Sequence, residues 1–249
     1  MQGVILAAGT GKRLAPLTDH LPKCLIPIGK RPILAHQIQA LRRSGVGDIF
    51  VVGGFRKEKV TDFLKSEKRT FFIENPRYQT SNILTSFWYA LKAVKKADDL
   101  IVTAGDVIFK SSLTEGLVRR ASGDVTLCVV QKPCGEEEVK VVTELDSVCR
   151  LGKNLDPSTA YGEFLGIFLV RCKILSFMEA MVDEMIQSNQ VQGYLFDMLN
   201  RLIQSRFGSV KAYEVGKALC EDIDTPEDVE KISQRIEWED SPSKLQGSL

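Results

Sequence analysis

The sequence has few of the residues that build zinc sites. Its 249 residues include only two histidines and six cysteines, and no two cysteines form a C-x-x-C pair. This scatter argues against a zinc site and against structural disulfides, and it predicts a protein of a reducing, cytoplasmic compartment. The cysteines are Cys24, Cys128, Cys134, Cys149, Cys172 and Cys220.

An excess of charge and a long apolar run are also lacking. The 33 basic and 32 acidic side chains leave a net charge of +1, so the bulk charge predicts no nucleic-acid or anionic-lipid partner. No apolar run approaches the ~20 residues of a membrane span, and we expect neither an export signal nor a membrane segment. An anionic ligand would therefore have to be held by local geometry.

What the sequence does contain is a globular composition with alternating strand and helix patterns. Apolar residues make up 44% and charged residues 26%, which suits one domain with a substantial core. In the first half this alternation predicts βαβ units and a parallel sheet with helices on both faces. The predicted strands are 3–8, 48–54, 69–75 and 98–106, and the predicted helices are 32–45, 57–66 and 81–97.

The second half is richer in short strands. Several are predicted within 124–153, separated by turns, and a longer strand covers 160–170. The pattern then predicts helices near 176–188 and 194–206, a strand at 209–215 and a helix at 226–238. We predict a single domain over 1–237 and a polar tail over 238–249.

The stretch LAAGTGKRLAPLT, at residues 6–18, ends the first predicted strand with two glycines and two cations. It is not a P-loop, because Arg13 replaces the required Ser or Thr and Leu6 stands where the first glycine belongs. A dinucleotide-binding turn is disfavoured, because Leu14 replaces its third glycine. Besides a plain tight turn, this leaves a phosphate-binding loop in which backbone N–H groups converge and Lys12 and Arg13 add charge.

One more cation and three carboxylates suit the same chemistry. We interpret Lys23, which follows the glycine-rich loop, as functional rather than as a solvated surface lysine. Asp106 ends a buried strand, where a carboxylate can reach a metal ion; a turn or helix-cap role is its alternative. Asp222 and Asp224 are two apart and share a face if extended, although Asp224 also suits the start of a helix.

Together these motifs resemble the NTP transferase-like family, which includes sugar-1-phosphate nucleotidyltransferases and the cytidylyltransferases of small phosphorylated alcohols. The resemblance covers residues 1 to about 235 and implies a Rossmann-like α/β fold, that of the nucleotide-diphospho-sugar transferases. Its mostly parallel mixed sheet would have a small β-rich acceptor-binding insertion, with a nucleotide-binding half (1–123) and an acceptor-binding, closing half (124–237). The matching residues are Leu6, Gly9, Gly11, Arg13, Pro22-Lys23, Pro32-Ile33, A-G-D at 104–106 and D-I-D-T-P-E-D at 222–228.

The resemblance also implies residue roles. Mg²⁺ is the expected cofactor, held by Asp106, Asp222 and Asp224, and the substrates are a nucleoside triphosphate and a phosphorylated small molecule. Lys23 is expected to contact the α-phosphate and the acceptor phosphate, and Arg13 the departing pyrophosphate. We expect a monomer or homodimer. Further contacts to the triphosphate are expected from Leu6, Ala7, Ala8, Gly9, Thr10, Gly11, Lys12 and Gly105.

The segment NPRYQTSNILTS, at residues 75–86, bears on which nucleotide binds. Its pattern N-x-x-Y-x-x-S-N-x-x-x-S resembles the cytidylyltransferases that act on phosphocholine, inositol phosphate or aminoethylphosphonate. Ser81, Asn82 and Ser86 are therefore expected at the nucleotide, since an amide can match both donors and acceptors of cytosine. Helix capping by Ser81 or Asn82 is the structural alternative. We favour CTP; the alternative is a sugar-1-phosphate enzyme that uses UTP, dTTP or GTP.

Four residues are expected near the acceptor. Glu163 is acidic in a largely apolar strand and needs a partner, which a cationic amine or substrate hydroxyls would supply. Lys153 would hold the acceptor phosphate. Tyr161 and Trp88 would wall a quaternary amine, unless they are core residues. The acceptor stays open between phosphocholine, inositol phosphate, aminoethylphosphonate and a sugar phosphate.

Overall fold

The structure is a computed structural model that describes residues 1–216 and 219–235. The predicted tail at 238–249 and the end of the predicted helix 226–238 lie outside the described residues. Within them, no helix combines the length and the apolar character that crossing a membrane requires. All six cysteines are free thiols.

The described residues alternate between strands and helices along most of the chain. The strands are β1 Gln2–Ala7, β2 Pro27–Ile28, β3 Arg31–Pro32, β4 Ile49–Gly53, β5 Thr70–Glu74, β6 Leu100–Ala104, β7 Val107–Phe109, β8 Val125–Val130, β9 Lys140–Glu144, β10 Ser147–Gly152, β11 Gly162–Val170, β12 Val210–Val215 and β13 Cys220–Asp222. The helices are α1 Ile33–Arg43, α2 Lys57–Leu64, α3 Ile83–Ala93, α4 Ser111–Arg120, α5 Cys172–Gln187, α6 Leu195–Ser205 and α7 Pro226–Arg235.

A nine-stranded sheet organises the chain, in the order β5-β4-β1-β6-β11-β8-β12-β10-β9. The strands β5, β4, β1 and β6 are parallel, as helical crossovers require. β11 lies antiparallel between β6 and β8, and β9 pairs with both β10 and β11. The predicted Rossmann-like mixed α/β fold is confirmed, while the division into two functional halves stays a prediction.

Helices cover both faces of the sheet, and β1 shows why its sequence is continuously apolar. Val4 and Leu6 belong to the core that contains residues of α3, α5 and α6. Ile5 and Ala7 belong to the other core, with residues of α1, α2 and α4. Successive side chains of a strand point to opposite faces, so a strand between two cores must be apolar at every position.

Two helices differ from the sequence prediction because distant partners define them. Helix α4 was not predicted from the sequence, because Gly116 lowers its helix propensity; in the fold, Gly116 lies against the Tyr213 hydroxyl, which leaves no room for a Cβ. Helix α5 begins at Cys172, not near Ser176, because the Cys172 N–H donates to Asp99 Oδ1 at 2.8 Å. Neither contact is visible in the local sequence.

The turn between β6 and β7 carries Gly105 and Asp106, and Gln37 of α1 supports it. Gln37 is fully buried, and its Nε2 donates to the carbonyls of Ala104 and Val107, at 2.7 Å each. Both partners are acceptors, which fixes the amide nitrogen toward the turn. The Gln37 Oε1 has no hydrogen-bond partner in the part of the chain that the structure describes.

We predict that Gln37→Met lowers the free energy of unfolding by about 1–3 kcal/mol, because two buried carbonyls lose their donor. Urea unfolding measures the change. Gln204→Met, at an exposed position of α6, is the matched control and should stay within about 0.5 kcal/mol of the wild type. A Gln37 variant as stable as the wild type would show that these bonds do not support the turn.

Asp99 ties the start of α5 to the neighbouring strand. Its Oδ2 lies 2.8 Å from Arg171 Nη1, and its Oδ1 accepts the Cys172 N–H. Burial by itself raises the pKa of Asp99, but these hydrogen bonds and the Arg171 charge outweigh it and hold the pKa below its usual range. A carboxyl with a depressed pKa stabilises the fold above its unfolded pKa and loses that effect as the pH falls.

We therefore expect Asp99→Asn to lower the free energy of unfolding at neutral pH by about 1 kcal/mol. The difference from the wild type should shrink below about pH 4, where the carboxyl takes up a proton first in the unfolded chain and, at lower pH, in the folded protein. Urea unfolding across this range tests it, with the exposed Asp62→Asn as control. A difference that is constant with pH would contradict the assignment.

Candidate active site

Glycine shapes the loop after β1. Gly11 has a φ of +64°, a left-handed conformation that favours glycine, and an added Cβ would meet Thr18 at 3.0 Å and Lys23 at 3.1 Å. At Gly105, an added Cβ would lie 2.6 Å from the Leu6 carbonyl oxygen. The absence of side chains at these two positions lets the loop, Lys23 and the turn after β6 approach closely.

Lys23 lies at the centre of the site, and its Nζ bridges two carboxylates. The Nζ lies 2.8 Å from Asp224 Oδ1 and 3.3 Å from Asp106 Oδ2, and Arg13 Nη2 lies 3.0 Å from Asp224 Oδ2. The Lys23 side chain is 14% exposed and that of Arg13 is 70% exposed. Lys23 is therefore fixed inside the site, whereas Arg13 reaches it from solvent. The structure brings these four residues together.

The start of α7 leaves the Asp224 carboxylate available to the cations. Asp228 Oδ2 accepts the N–H groups of Asp224, at 3.0 Å, and of Thr225, at 2.9 Å. The Thr225 hydroxyl accepts the Asp228 N–H at 3.2 Å. This reciprocal capping box makes Thr225 the helix cap. Thr225, and not Asp224, is therefore the cap of α7.

Asp222 reaches the same site through strand pairing. β13 runs antiparallel to β7 and places Asp222 opposite Val107, one residue after Asp106. Desolvation, together with the charges of Asp106, Glu163 and Asp224, raises the pKa of Asp222 to about 7. Because Asp222 is open to the cleft, the crowding of like charges is the firmer cause of this direction. A bound cation would favour the ionised form.

These carboxylates fit Mg²⁺ that arrives with a polyphosphate. Mg²⁺ prefers oxygen ligands and is commonly held by one or two carboxylates, with waters and substrate phosphates completing its shell. Within residues 1–216 and 219–235, no three acidic, histidine or cysteine side chains are grouped as a ready-made metal site. Lys23 lies between Asp106 and Asp224 instead. The donor set therefore suits a metal shared with a substrate.

A cavity of about 190 Å³ lies between the loop after β1 and the start of α3. The thiol of Cys24 in its wall is fully buried, which raises its pKa to about 12 and argues against a nucleophilic role. Thr10, Gly11 and Lys12 continue the same loop beyond this lining. The lining residues are Leu6, Ala7, Ala8, Gly9, Lys23, Cys24, Asn75, Tyr78, Ser81, Asn82, Ile83, Ser86, Gly105 and Asp106.

Asn82 combines a structural role with a position in this cavity. Its Oδ1 accepts the Ile83 N–H at 2.8 Å, so Asn82 is the N-cap of α3. In the part of the chain that the structure describes, the Asn82 amide nitrogen donates no hydrogen bond, and Asn82 forms part of the cavity wall. Capping therefore uses one end of the amide and leaves the donor end for a ligand.

Asn75 and Tyr78 also line the cavity, although the sequence analysis did not select them. Asn75 is buried, and its Nδ2 donates to Ser86 Oγ at 3.0 Å and to Ser81 Oγ at 3.4 Å. Tyr78 packs on Gly54, where an added Cβ would lie 2.5 Å from the tyrosine Cβ. Both residues occupy fixed positions of the motif that resembles the cytidylyltransferases, and this position in the motif could have identified them as cavity residues.

A larger cavity, of about 680 Å³, adjoins Asp222 and has Glu163 in its wall. Glu163 finds its partner within the chain, since Lys132 Nζ lies 2.7 Å from Glu163 Oε2 and 3.4 Å from Glu138 Oε1. Burial alone would lower the pKa of Lys132, but the hydrogen bond and charge of Glu163, with Glu138, raise it. The sequence analysis missed Lys132, which belongs to no recognisable motif.

Three other residues expected near the acceptor do not line this cavity. Lys153 Nζ pairs with a glutamate of the β8–β9 loop at 3.1 Å and lines a different cavity. The Tyr161 hydroxyl lies 3.3 Å from a glutamate of β12, and Trp88 donates to an aspartate of α5 at 2.5 Å. None of the three is part of the described lining beside Asp222. Of the four, the structure brings only Glu163 to that cavity.

Sequence comparison finds relatives among nucleotidyltransferases. The chain is 27% identical over 254 residues to the CTP:phosphoglutamine cytidylyltransferase of Campylobacter jejuni, an alignment that covers 92% of this chain and 98% of that protein. It is 33% identical over 121 residues to the choline-phosphate cytidylyltransferase of Streptococcus pneumoniae, which covers 48% of this chain and 51% of that protein.

Solved structures share the fold over nearly the whole chain. The CTP:phosphocholine cytidylyltransferase of Streptococcus pneumoniae has a TM-score of 0.76 at 24% identity, covering 94% of this chain and 98% of that one. The inositol-1-phosphate CTP transferase of T. maritima has a TM-score of 0.75 at 22% identity, covering 97% and 98%. The model of the MobA-like NTP transferase domain matches residues 3–180. The chain therefore belongs to the MobA-like NTP transferase family and is a nucleotidyltransferase, as its motifs predicted.

Proposed function

We propose that the chain transfers CMP from CTP to a phosphorylated small molecule and releases pyrophosphate, with Mg²⁺ as cofactor. The observation that carries this proposal is the position of Lys23. Its ammonium lies in the wall of the cavity beside the glycine-rich loop and contacts both Asp106 and Asp224. A cation and carboxylates at the end of a phosphate loop are the groups that a nucleotidyl transfer needs.

The loop after β1 would hold the triphosphate, because its backbone N–H groups can converge on phosphate oxygens. Arg13, which is largely exposed, can turn toward the β- and γ-phosphates and stabilise the departing pyrophosphate. Lys23 would contact the α-phosphate and the incoming acceptor phosphate. Asp106, Asp222 and Asp224 would hold Mg²⁺, which supplies charge neutralisation for the polyphosphate when bound.

The reaction needs little acid or base catalysis. An oxygen of the acceptor's phosphate attacks the α-phosphorus of CTP, the bond to the bridging oxygen of the β-phosphate breaks, and pyrophosphate leaves with that electron pair. The attacking phosphate is already anionic near neutral pH. Positioning of the two phosphates and neutralisation of their charge by Lys23 and Arg13 therefore account for most of the catalysis.

The choice of CTP is supported by the start of α3. Ser81, Asn82 and Ser86 line a cavity of only about 190 Å³, and amide and hydroxyl groups can match the donor and acceptor edge of cytosine. The relatives of Campylobacter jejuni and Streptococcus pneumoniae are named as cytidylyltransferases.

Six free thiols support a cytoplasmic location.

A panel of CTP, UTP, dTTP and GTP tests this proposal, with phosphocholine, inositol phosphate, aminoethylphosphonate and a sugar-1-phosphate as acceptors. We expect the fastest pyrophosphate release with CTP. Chelation of Mg²⁺ by EDTA should abolish release, and added Mg²⁺ should restore it. Preference for UTP, dTTP or GTP with the sugar phosphate would favour a sugar-1-phosphate nucleotidyltransferase instead. CTP binding without release for any acceptor would indicate a regulatory nucleotide-binding protein.

The role of Lys23 is tested by Lys23→Ala. We expect kcat to fall about 100- to 1,000-fold, because one positioned cation is lost from the developing charge. Lys57→Ala is the matched control, since Lys57 pairs with Glu74 on the exposed surface at 2.7 Å and should leave kcat unchanged. Thermal unfolding verifies that both variants are folded. Wild-type turnover in a folded Lys23→Ala variant would refute the assigned role.

A further inference from the structure

We propose that the acceptor carries a primary ammonium group and that Glu163 binds this group in the cavity beside Asp222. The inference rests on the proposed function, since it takes this cavity as the acceptor side of the transfer. It selects one chemical class, the phosphates or phosphonates with an unmethylated amine, from the acceptors that the sequence leaves open.

Glu163 offers a cationic group a largely buried acceptor. Lys132 Nζ lies near the carboxylates of both Glu163 and Glu138, and the buried Lys140 is opposite Glu163 in the β9–β11 pair. The Glu163 side chain is only 12% exposed, and its Oε2 contacts Lys132. The ion pair uses Oε2, which leaves acceptor capacity on Oε1. A largely buried carboxylate with spare acceptor capacity is stabilised by a further donor.

The absence of aromatic walls favours a primary amine over a quaternary one. A quaternary ammonium has no N–H to donate and is recognised mainly by aromatic faces, whereas a primary ammonium offers three donors. In the described part of the chain, no phenylalanine, tyrosine or tryptophan lines this cavity. Its apolar wall is aliphatic instead, with Val130 and Leu165 beside Glu163.

The same cavity connects Glu163 with Asp222, which belongs to the proposed site of nucleotidyl transfer. Asp222 and Glu163 share its wall, and they lie close enough for the Glu163 charge to act on the Asp222 carboxyl. Lys231 of α7 lines the same cavity and adds a positive charge that suits the acceptor's phosphate. The cavity therefore contains a carboxylate that suits the amine and a lysine that suits the phosphate of an aminoalkyl phosphate.

A series of acceptors with stepwise methylation of the amine tests the proposal on the wild-type protein. The acceptors are phosphoethanolamine, its N-methyl and N,N-dimethyl derivatives, and phosphocholine, each with CTP and Mg²⁺. We expect kcat/KM to fall with each methyl, by about 10- to 100-fold in total, because each step removes a donor to a charged acceptor. Equal or higher kcat/KM for phosphocholine would overturn the proposal.

Glu163→Gln tests whether this residue reads the amine. The variant should lower kcat/KM for phosphoethanolamine by about 10- to 100-fold. Its kcat/KM should then differ little between the acceptors of the methylation series. Glu137→Gln is the matched control, because Glu137 is 86% exposed and pairs with Lys153 outside the cavity; it should keep the wild-type preference. If Glu163→Gln does not fold, the wild-type series alone decides.

The outcomes separate this inference from the proposed function. Turnover of inositol phosphate or a sugar phosphate, but of no amine in the series, would overturn the inference and leave the nucleotidyl transfer standing. A Glu163→Gln variant that is folded and retains the full methyl preference would also overturn it. No pyrophosphate release with any acceptor would overturn both.

Discussion

The ion pairs of Lys23 with Asp106 and Asp224 are the interaction on which the site depends. Carboxylates that crowd together repel one another, and desolvation together with this crowding raises the pKa of Asp222. Lys23 and Arg13 reduce this repulsion, with Lys23 Nζ 2.8 Å from Asp224 and 3.3 Å from Asp106. The same two cations can pass to phosphate oxygens when nucleotide and Mg²⁺ enter, so one arrangement serves both stability and substrate binding.

The topology explains how distant residues converge on Lys23. β1 and β6 are adjacent parallel strands, so the glycine-rich loop and the turn with Asp106 leave the same edge of the sheet. β13 pairs with β7 and returns the C-terminal segment to this edge. Gln37 supports the turn from the core, and Asp228 fixes the start of α7 beside Asp224.

The sequence predicted those features that depend on residues close to one another in the chain. The apolar run of β1, the glycines of the following loop and the spacing of Asp222 and Asp224 depend on neighbours in the chain. They predicted the fold and selected residues that the structure brings together around Lys23. Features with distant partners could not be predicted: the start of α5 depends on Asp99, and Trp88 contacts an aspartate of α5.

The most direct measurement of the central claim is calorimetric titration of CTP with and without Mg²⁺, for the wild type and for an Asp106→Asn, Asp224→Asn double variant. If these carboxylates hold a metal that the nucleotide shares, Mg²⁺ should strengthen CTP binding by the wild type, and the double variant should lose most of that effect. The same Mg²⁺ dependence in both proteins would contradict the account.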